Sequence, residues 1–570
     1  MTREITYETI QFGNESIKVA FRKAQPLDTK NRGIELQTSS QIEFKPGSTT
    51  LKKWTTCIEG GITLPCDIVW HSDVGVKMRD GTTIYADVFL PEGDDKIPAI
   101  LSWSPYGKAV PQPAPPGVDR AAVSGLQKFE GPDPAYWCNH GYAVINVDAR
   151  GSFYSEGDIY MWGTTSANDC NDFIQWTAAQ EWCNGKVAMS GNSWLGIVQW
   201  FTAVQNPPHL KAIAPWEGHI DLYRYDVLRG GIRDTAFNNF NTSTQIGMNR
   251  IEDMAAMAEK YPLMNAYWKD KAPELEKITV PAYIVASWGG HQTIDAFRRI
   301  SSNEKWLRVH NTGEWPDYYE YTEDLQRFFD HFLKGEENNW EKTPRVRLST
   351  LDPGGTDTVN RPEQEWPLVR TQYEKYYLDA STNSLSLSPV PNKSVARYKA
   401  DNNQSEVAFS VEFQEDTEFT GYVSLHLWIE TDVAVDADIF VLLQKMDSDD
   451  KPVPGGYGFI GPDGRLRVSH RELDTSRSTP WFPYHPHDRE ELLTPGQPVP
   501  VDIEIRPMGM RWRKGEKLRL IVAGYNVMSR FRQGPPGGMT LPGPITRNKG
   551  DHIIHTGDGY DSYLFMPKVV

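Results

Sequence analysis

The chain is poor in cysteine, which narrows the kinds of scaffold and site that it can contain. Five cysteines occur among 570 residues, an odd number, and no pair of them has Cys-x-x-Cys spacing. Neither a disulfide framework nor a zinc site is expected from such a set. The five are Cys57, Cys66, Cys138, Cys170 and Cys183.

Membrane spans, a secretion signal and a basic surface are also missing from the sequence. No run of 18 apolar residues occurs, and residues 1–6 lack the basic and apolar segments of a secretory signal. The formal net charge is −16, and no positive stripe offsets it, so nucleic acid and anionic lipid are poor partners. We expect a cytoplasmic protein that binds neither nucleic acid nor membrane.

Length and aromatic content indicate a large protein with several hydrophobic cores. A chain of 570 residues is too long for one core and corresponds to about three or four domains. Its hydrophobic fraction of 39% is ordinary, but 19 tryptophans are unusual. Side chains of that size supply large apolar surfaces to cores or to a pocket.

Short apolar runs alternate with helical patterns in the first half of the chain. The runs at 99–103, 143–147 and 187–190 suit buried parallel strands, whereas 169–180 carries apolar residues at helical spacing. Strands that alternate with helices predict an α/β fold with a doubly wound sheet.

Changes in this pattern divide the chain into four parts. The sequence turns helical and methionine-bearing after residue 216, returns to strands near residue 282, and is mostly β beyond residue 343. Turn residues separate the later runs, which favours a β-sandwich. The predicted units are an N-terminal extension at 1–66, an α/β core at 67–216 and 279–340, a helical cap at 217–278, and a β-sandwich at 341–570.

One hexapeptide carries the clearest chemical signal. Gly191-Asn192-Ser193-Trp194-Leu195-Gly196 stands between an apolar strand-like run and a helix-like run, with serine at the apex. A nucleophile elbow has this pattern: the serine hydroxyl is exposed above a parallel sheet, and the next amide, here that of Trp194, points to a developing oxyanion. The motif departs from Gly-x-Ser-x-Gly, because Leu195 stands where the second glycine is expected.

From residue 74 to the end, the sequence resembles the bacterial cocaine esterase and X-Pro dipeptidyl-peptidase family of serine hydrolases. The resemblance implies an α/β-hydrolase core, a helical cap and a C-terminal jelly roll. Besides the elbow, the matching segments are MRDG at 78–81, PYGK at 105–108, DARG at 148–151, SEG at 155–157, EWCNGKV at 181–187, KAIAP at 211–215, SHR at 469–471, HPHDR at 485–489 and DSYL at 561–564.

The resemblance implies roles for two residues without ambiguity. Ser193 matches the family nucleophile, and Tyr106 matches the tyrosine whose hydroxyl completes the oxyanion hole with the amide of Trp194. The histidines at 485 and 487 look like a metal cluster, but the family match explains them as a structural turn. Serine hydrolysis of this kind needs no metal and no cofactor.

The acid and base of the family pattern have changed in this chain. Gly290 stands at the aspartate position, followed by His291, and Glu314 stands near the histidine position. A triad needs an imidazole beside the serine and a carboxylate to orient it, in no fixed chain order. We therefore predict a triad of Ser193, His291 as general base and Glu314 as orienting acid.

Other assignments of the base stay open. His310 could be the base with Asp295, Asp317 or Glu314 as its partner. Alternatively both loop histidines are structural, and the scaffold serves an acyltransferase, a lyase or cyclase, or a binding protein without turnover.

The expected function is hydrolysis of an ester, or less readily an amide, of a small and mostly apolar molecule. X-Pro peptidase action ranks lower, because no acidic pair that would hold a peptide amino terminus is identifiable. The only expected partner is the small-molecule substrate, and the sequence leaves a homodimer open. Side chains near the predicted cap and base loop are candidates for the pocket wall: Phe237, Phe240, Met248 and Trp288.

Overall fold

The computed structural model describes residues 4–27, 43–93, 95–108, 110–456, 459–530 and 542–570. Two large sheets of 11 strands each and one small sheet of three strands organise these residues. Helices accompany the first large sheet, and the second belongs to an all-β region. The predicted α/β core with a doubly wound sheet and the predicted C-terminal all-β unit are confirmed.

The first sheet has the strand order β14-β13-β12-β11-β9-β8-β6-β7-β5-β4-β3. Its centre, from β7 to β13, is parallel, and antiparallel strands flank it on both sides. The strands are β3 (Gly47–Leu51), β4 (Ile68–Lys77), β5 (Thr83–Pro91), β6 (Ile97–Ser104), β7 (Ala143–Asp148), β8 (Cys183–Asn192), β9 (Leu210–Trp216), β11 (Ala282–Ser287), β12 (Lys305–His310), β13 (Val346–Thr350) and β14 (Thr358–Glu363).

Helices cover both faces of this sheet, which is why its central strands read as continuous apolar runs. Successive residues of β6 alternate between two hydrophobic clusters, with Ala99 and Leu101 in one and Ile100 in the other. The helices are α1 (Pro134–Asn139), α2 (Gly163–Ala178), α3 (Trp194–Ala203), α4 (Ala236–Thr244), α5 (Met254–Lys260), α6 (Ala266–Asp270), α7 (His291–Arg299), α8 (Glu314–Glu320) and α9 (Thr322–Phe329).

The helix after the elbow is buried on every side. All ten residues of α3 are buried, and its sequence is apolar around the whole circumference. It packs against β8 and β9 on one side and α2 on the other. The start of α3 is consequently held firmly at the edge of the sheet.

The amino-terminal segment pairs with a strand more than 200 residues away. Strands β1 (Ile5–Phe12) and β2 (Glu15–Lys23) form an antiparallel hairpin, and β10 (Arg250–Glu252) adds to β2. Residues 217–278, predicted as a helical cap, contain α4, α5, α6 and this strand.

The second sheet has the order β17-β24-β19-β22-β21-β20-β23-β18-β16-β15-β25, and β25 also pairs with β19. That additional pairing curls the sheet back on itself. Its strands are β15 (Thr371–Asp379), β16 (Ser384–Ser386), β17 (Ser394–Lys399), β18 (Glu406–Glu412), β19 (Thr417–Thr431), β20 (Asp438–Met446), β21 (Asp463–Arg467), β22 (Val499–Trp512), β23 (Lys517–Ala523), β24 (Asp551–Thr556) and β25 (Tyr563–Val569).

Tryptophan fills the interior, as its abundance predicts. In the described part of the chain, nine tryptophan side chains are almost completely buried. They are Trp103, Trp137, Trp200, Trp216, Trp268, Trp288, Trp306, Trp340 and Trp512. Within the same ranges, every helix is too short or too polar to cross a membrane.

Candidate active site

Ser193 occupies a strained turn between a strand and a helix. β8 ends at Asn192, α3 begins at Trp194, and Ser193 alone connects them with φ 51° and ψ −116°. A positive φ is costly for a residue with a side chain and persists only where the surroundings enforce it. Here the Ser193 N–H donates to the carbonyl of Trp216 at 3.1 Å, and the Ser193 carbonyl accepts from Ile197 at 2.8 Å.

Two glycines make the turn possible, and one of them explains the unusual motif. A Cβ on Gly196 would lie 2.5 Å from the carbonyl oxygen of Trp216, and one on Gly191 would lie 2.6 Å from the Leu195 side chain. Helix α3 therefore approaches β9 most closely at residue 196. The second glycine of the motif stands where this contact requires it, one place later than in Gly-x-Ser-x-Gly.

The predicted oxyanion donors surround Ser193. The N–H of Trp194 is the first in α3 and has no partner within the helix, because the first turn of any helix leaves its donors free. Tyr106 stands in the loop after β6, and its hydroxyl interacts with the side chain of Ser193. Burial raises the pKa of Tyr106 well above its usual value, and the nearby carboxyl groups of Glu130 and Glu314 raise it further. The phenol therefore stays protonated and able to donate.

A histidine–carboxylate pair lies at the same sheet edge. Glu217 follows β9 directly, and its Oε1 accepts from the backbone N–H of Ser287 at 2.5 Å and from His310 Nε2 at 2.8 Å. His310 Nδ1 accepts from the N–H of Thr312 at 3.3 Å, which places the ring hydrogen on Nε2. Both nitrogens of His310 are thus engaged, and its carboxylate partner is Glu217, a residue that the sequence did not single out.

The carboxylates predicted as alternative partners of His310 are held elsewhere. Asp317 pairs with Arg308 through both oxygens, and its Oδ1 lies 3.8 Å from His310 Nδ1. Asp295 on α7 pairs with Arg298 at 2.7 Å and accepts from the hydroxyl of Tyr422 at 3.3 Å.

Glu314 begins α8 and contacts Asn192, the residue before Ser193. Its backbone carbonyl accepts from Asn192 Nδ2 at 3.0 Å. Burial raises the pKa of Glu314 to about 8, and the charge of Glu217 adds to the effect. An ordinary glutamic acid would be ionised throughout the neutral range, but this one exchanges its proton there.

A third acidic residue, Glu130, also contacts Asn192. The backbone carbonyl of Glu130 accepts from the N–H of Asn192 at 3.0 Å, and Glu130 Oε1 accepts from Trp315 Nε1 at 3.0 Å. Glu130 Oε2 is buried without a hydrogen-bond partner among the described residues. Burial, reinforced by the charge of Glu314, raises the pKa of Glu130 well above its usual value. We refer to Glu130, Glu217 and Glu314 as the carboxyl cluster.

His291, the predicted base, is the first residue of α7, and its side chain lies outside the described part of the chain. The residue before it shows how the aspartate of the family pattern has been replaced. A Cβ on Gly290 would lie 2.3 Å from Glu217 Oε2, so the Glu217 carboxylate fills the volume in which a side chain at position 290 would start. The roles predicted for His291 and Glu314 stay predictions.

The predicted pocket residues differ widely in exposure. Phe237 and Met248 are 57% and 48% exposed, and Phe240 is partly exposed. Trp288 is buried and donates from Nε1 to the carbonyl of Ser349 at 2.7 Å. Their assignment to a substrate pocket stays a prediction. In the described ranges, no three histidine, cysteine or acidic side chains cluster in a way that could hold a metal ion.

Comparison with known proteins identifies the family. A crystal structure of a CocE/NonD family hydrolase from Staphylococcus aureus superposes with a TM-score of 0.83 at 33% identity, over 93% of this chain and 99% of that protein. The chain belongs to the CocE/NonD hydrolase family. The family model of X-Pro dipeptidyl-peptidases of family S15 matches residues 80–313, and that of their C-terminal non-catalytic domain matches residues 338–565.

Two curated relatives of this CocE/NonD hydrolase are esterases by name. The cocaine esterase of Rhodococcus sp. is 25% identical over 87% of this chain and 98% of its own length. A putative serine esterase of Mycobacterium bovis is 23% identical over 80% of the chain and 90% of its own length. The chain is a serine hydrolase, and the resemblance and enzyme class expected from its sequence are confirmed.

Glu217 was the residue that sequence reasoning missed. It stands two residues after the run at 212–215, which the sequence predicts as the next strand after the elbow. Parallel neighbours end at the same sheet edge, so an acidic residue at that position was a usable signal. The loss of the aspartate at position 290 was a second signal, because a replacement carboxylate had to come from a neighbouring strand end.

Proposed function

We propose that this hydrolase cleaves an ester of a small, mostly apolar molecule through an acyl-enzyme on Ser193. The observation that carries the proposal is the positive-φ turn that places Ser193 between β8 and α3, beside a buried, protonated Tyr106 whose hydroxyl interacts with the serine side chain. A serine held in this way has an oxyanion donor beside it before substrate arrives. The names of the esterase relatives support the choice of an ester.

In the proposed reaction, Ser193 Oγ attacks the ester carbonyl, and the negative charge moves to the carbonyl oxygen. The Tyr106 hydroxyl and the Trp194 N–H donate to that oxygen. Collapse of the tetrahedral intermediate releases the alcohol, and water then hydrolyses the acyl-enzyme. Two residues are candidates for the base that accepts the serine proton: His291, which the sequence predicts with Glu314 as its orienting acid, and Glu314 itself.

Aromatic rings around Ser193 support an apolar substrate. Tyr106 packs edge-on against Phe129 and Trp194, with ring centres 5.5 and 6.0 Å apart. Trp162 lies against Trp194 at 4.1 Å. Such walls stabilise an aryl or alkyl group and offer few partners to a strongly polar one.

The experiment that tests the proposal combines covalent labelling with a substrate panel. A fluorophosphonate should add one equivalent to the wild-type enzyme, visible by intact mass and localised to Ser193 by peptide mapping. p-Nitrophenyl acetate, butyrate and benzoate should be hydrolysed faster than alanyl-prolyl-p-nitroanilide. Faster release of p-nitroaniline from the dipeptide would instead favour the peptidase alternative, and labelling without turnover would favour an acyltransferase.

Replacing Tyr106 with phenylalanine should lower kcat for p-nitrophenyl esters by about 10²–10³-fold, with a small change in KM. The substitution removes one donor to the oxyanion, which exists only after the attack, and keeps the ring that packs against Phe129. Burst and steady-state kinetics measure the effect. Tyr319→Phe is the matched control, because it removes another tyrosine hydroxyl, which donates to the carbonyl of Gly131. An unchanged kcat in Tyr106→Phe would contradict the oxyanion role.

A further inference from the structure

We propose that Glu314 is itself the general base of Ser193 and that Glu217 is the positioning residue that holds it. This inference rests on the proposed acyl-enzyme function and changes the identity of the proton acceptor. The site then contains two glutamate carboxyl groups in place of the histidine and the aspartate of the family pattern. Glu314 acts on Ser193, and Glu217 holds Glu314.

The first argument is the position of the two carboxyl groups. Glu314 stands near the histidine position of the family pattern, and the Glu217 carboxylate fills the space beside Gly290 where the family places its aspartate. Glu314 therefore replaces the base, and Glu217 replaces its orienting acid. Both residues stand at the same edge of the sheet, because Glu217 follows β9 and Glu314 begins the helix after β12, and the negative charge of Glu217 raises the pKa of Glu314.

The second argument is access. Ser193, Glu217 and Glu314 each keep part of their surface accessible, whereas Tyr106 is 5% exposed and Glu130 is 3% exposed. Asn192 connects the nucleophile turn to Glu314, because it precedes Ser193 and its side-chain amide donates to the Glu314 carbonyl. A substrate that reaches Ser193 therefore lies near the start of α8, where Glu314 stands.

The third argument is that His310 is fully occupied. Its Nε2 donates to Glu217 at 2.8 Å, and its Nδ1 accepts from the backbone of Thr312. Neither nitrogen is left for a serine proton. The ring instead donates to the Glu217 carboxylate and fixes it, together with the N–H of Ser287 at 2.5 Å.

The charged groups around Glu314 make it a stronger base than an exposed carboxylate. Glu217 faces it from the end of β9, Glu130 from the loop before α1, and Tyr106 from the loop after β6. Arg308 on β12, a buried cation, is neutralised by Asp317 in a bidentate pair. His310 faces Glu217 from the end of β12, and His291 begins α7, with its side chain outside the described part of the chain.

A carboxylate with a pKa of about 8 is well matched to this task. General-base catalysis is most efficient when the pKa of the base lies near the working pH, since the base must be ionised and must still bind the proton firmly. An exposed glutamate is ionised but too weak a base. Burial beside Glu217 raises the pKa of Glu314 into the near-neutral range in which an imidazole acts as a base.

The proton balance closes without any further reactant. The Glu314 carboxylate takes the hydroxyl proton of Ser193 as Oγ bonds to the ester carbon, and the carbonyl electron pair moves to oxygen. The same proton passes from Glu314 to the alkoxide that leaves. Water then gives a proton to Glu314 as it attacks the acyl carbon, and that proton returns to Ser193 Oγ when the acid departs.

The test compares five variants of the full chain with the wild type on p-nitrophenyl butyrate: three glutamate-to-glutamine variants, His291→Ala and Glu314→His. The kcat/KM of the wild type should rise with pH to a plateau, with its midpoint near 8, because only ionised Glu314 accepts a proton. Glu314→Gln should lose about 10²–10⁴-fold in kcat. Glu320→Gln, at the exposed end of the same helix, is the matched control and should keep both kcat and the midpoint.

Glu217→Gln separates positioning from folding. Glutamine keeps an oxygen that accepts from Ser287 and His310 but removes the charge that raises the pKa of Glu314. The midpoint of the pH profile should therefore move to lower pH by about one unit. A merely structural role for Glu217 would lower activity without moving the midpoint, and that result would overturn its assignment.

The decisive comparison is between the two candidate bases. Under this inference His291→Ala keeps most of its turnover, and Glu314→His recovers part of the lost activity with a midpoint near 6.5, the ordinary value for histidine. Activity lost in His291→Ala and kept in Glu314→Gln would overturn the inference while leaving Ser193 as the nucleophile. A wild type that forms no fluorophosphonate adduct and hydrolyses no ester would instead overturn the proposed function itself.

Discussion

Ser193→Ala should abolish fluorophosphonate labelling and lower kcat for p-nitrophenyl esters by about 10⁴-fold or more. Alanine removes the only atom that can carry the acyl group, whereas the oxyanion donors and the substrate walls stay in place. The residual rate should therefore still exceed that of the uncatalysed reaction, since an intact oxyanion hole alone accelerates ester hydrolysis. Stopped-flow assays of Ser193→Ala should also show no initial burst of p-nitrophenol.

Ser190→Ala is the matched control for this variant. Ser190 lies on the same strand, three residues before the nucleophile, and its hydroxyl is paired with that of Tyr318 at 2.8 Å. Its loss removes a buried hydrogen bond and so lowers the free energy of unfolding by about 1–3 kcal/mol, but it removes no group that takes part in the reaction. Ser190→Ala should therefore still label with one equivalent. Full turnover by Ser193→Ala would contradict an acyl-enzyme on that residue.

The second large effect concerns stability at the sheet edge that carries the site. Asp317→Ala should lower the free energy of unfolding by about 3–5 kcal/mol, because it leaves the Arg308 guanidinium buried without a counter-charge. Both side chains are 1% exposed, and Arg308 also donates to the hydroxyl of Tyr283 at 3.0 Å. Denaturant titration followed by tryptophan fluorescence measures the loss, since Trp216 lies against Arg308.

An exposed ion pair supplies the contrast. Glu274 and Lys277 form a pair on the surface, with side chains 71% and 58% exposed, and Glu274→Ala should change stability by less than about 1 kcal/mol. Equal effects from the two variants would show that the buried pair is not specifically required. Loss of Asp317 should also lower esterase activity, because Asp317 and His310 are both neighbours of Thr312 at the end of β12.

Much of the fold follows from patterns that are local in the chain. Apolar runs of five or six residues separated by helical spacing predict a parallel sheet with helices on both faces, and that arrangement is found in β6, β7, β8, β9, β11 and β12. The elbow is equally local, because a serine between an apolar strand and an apolar helix has few other geometries available. Family resemblance added Tyr106, which no spacing along the chain connects to Ser193.

The pairing of distant strands was beyond local reasoning. The hairpin of β1 and β2 adds to β10, and in the second sheet β17 pairs with β24 across some 150 residues of sequence. Hydrophobic alternation shows which face of a strand is buried but not which strand lies beside it. The hydrophobic pattern therefore does not predict the order of the 11 strands in the second large sheet.

By itself, the sequence determined the enzyme class and predicted the nucleophile and its turn, since each depends on residues that are neighbours in the chain or on motifs shared across a family. Only the tertiary structure decided which carboxyl groups meet at the sheet edge that carries Ser193. Glu130, Glu217 and Glu314 come from three separate loops, and their proton affinities depend on burial and on charges across space. Desolvation and through-space interaction are properties of the folded molecule, so the acid–base chemistry of this site emerges only when the sheet brings its strand ends together.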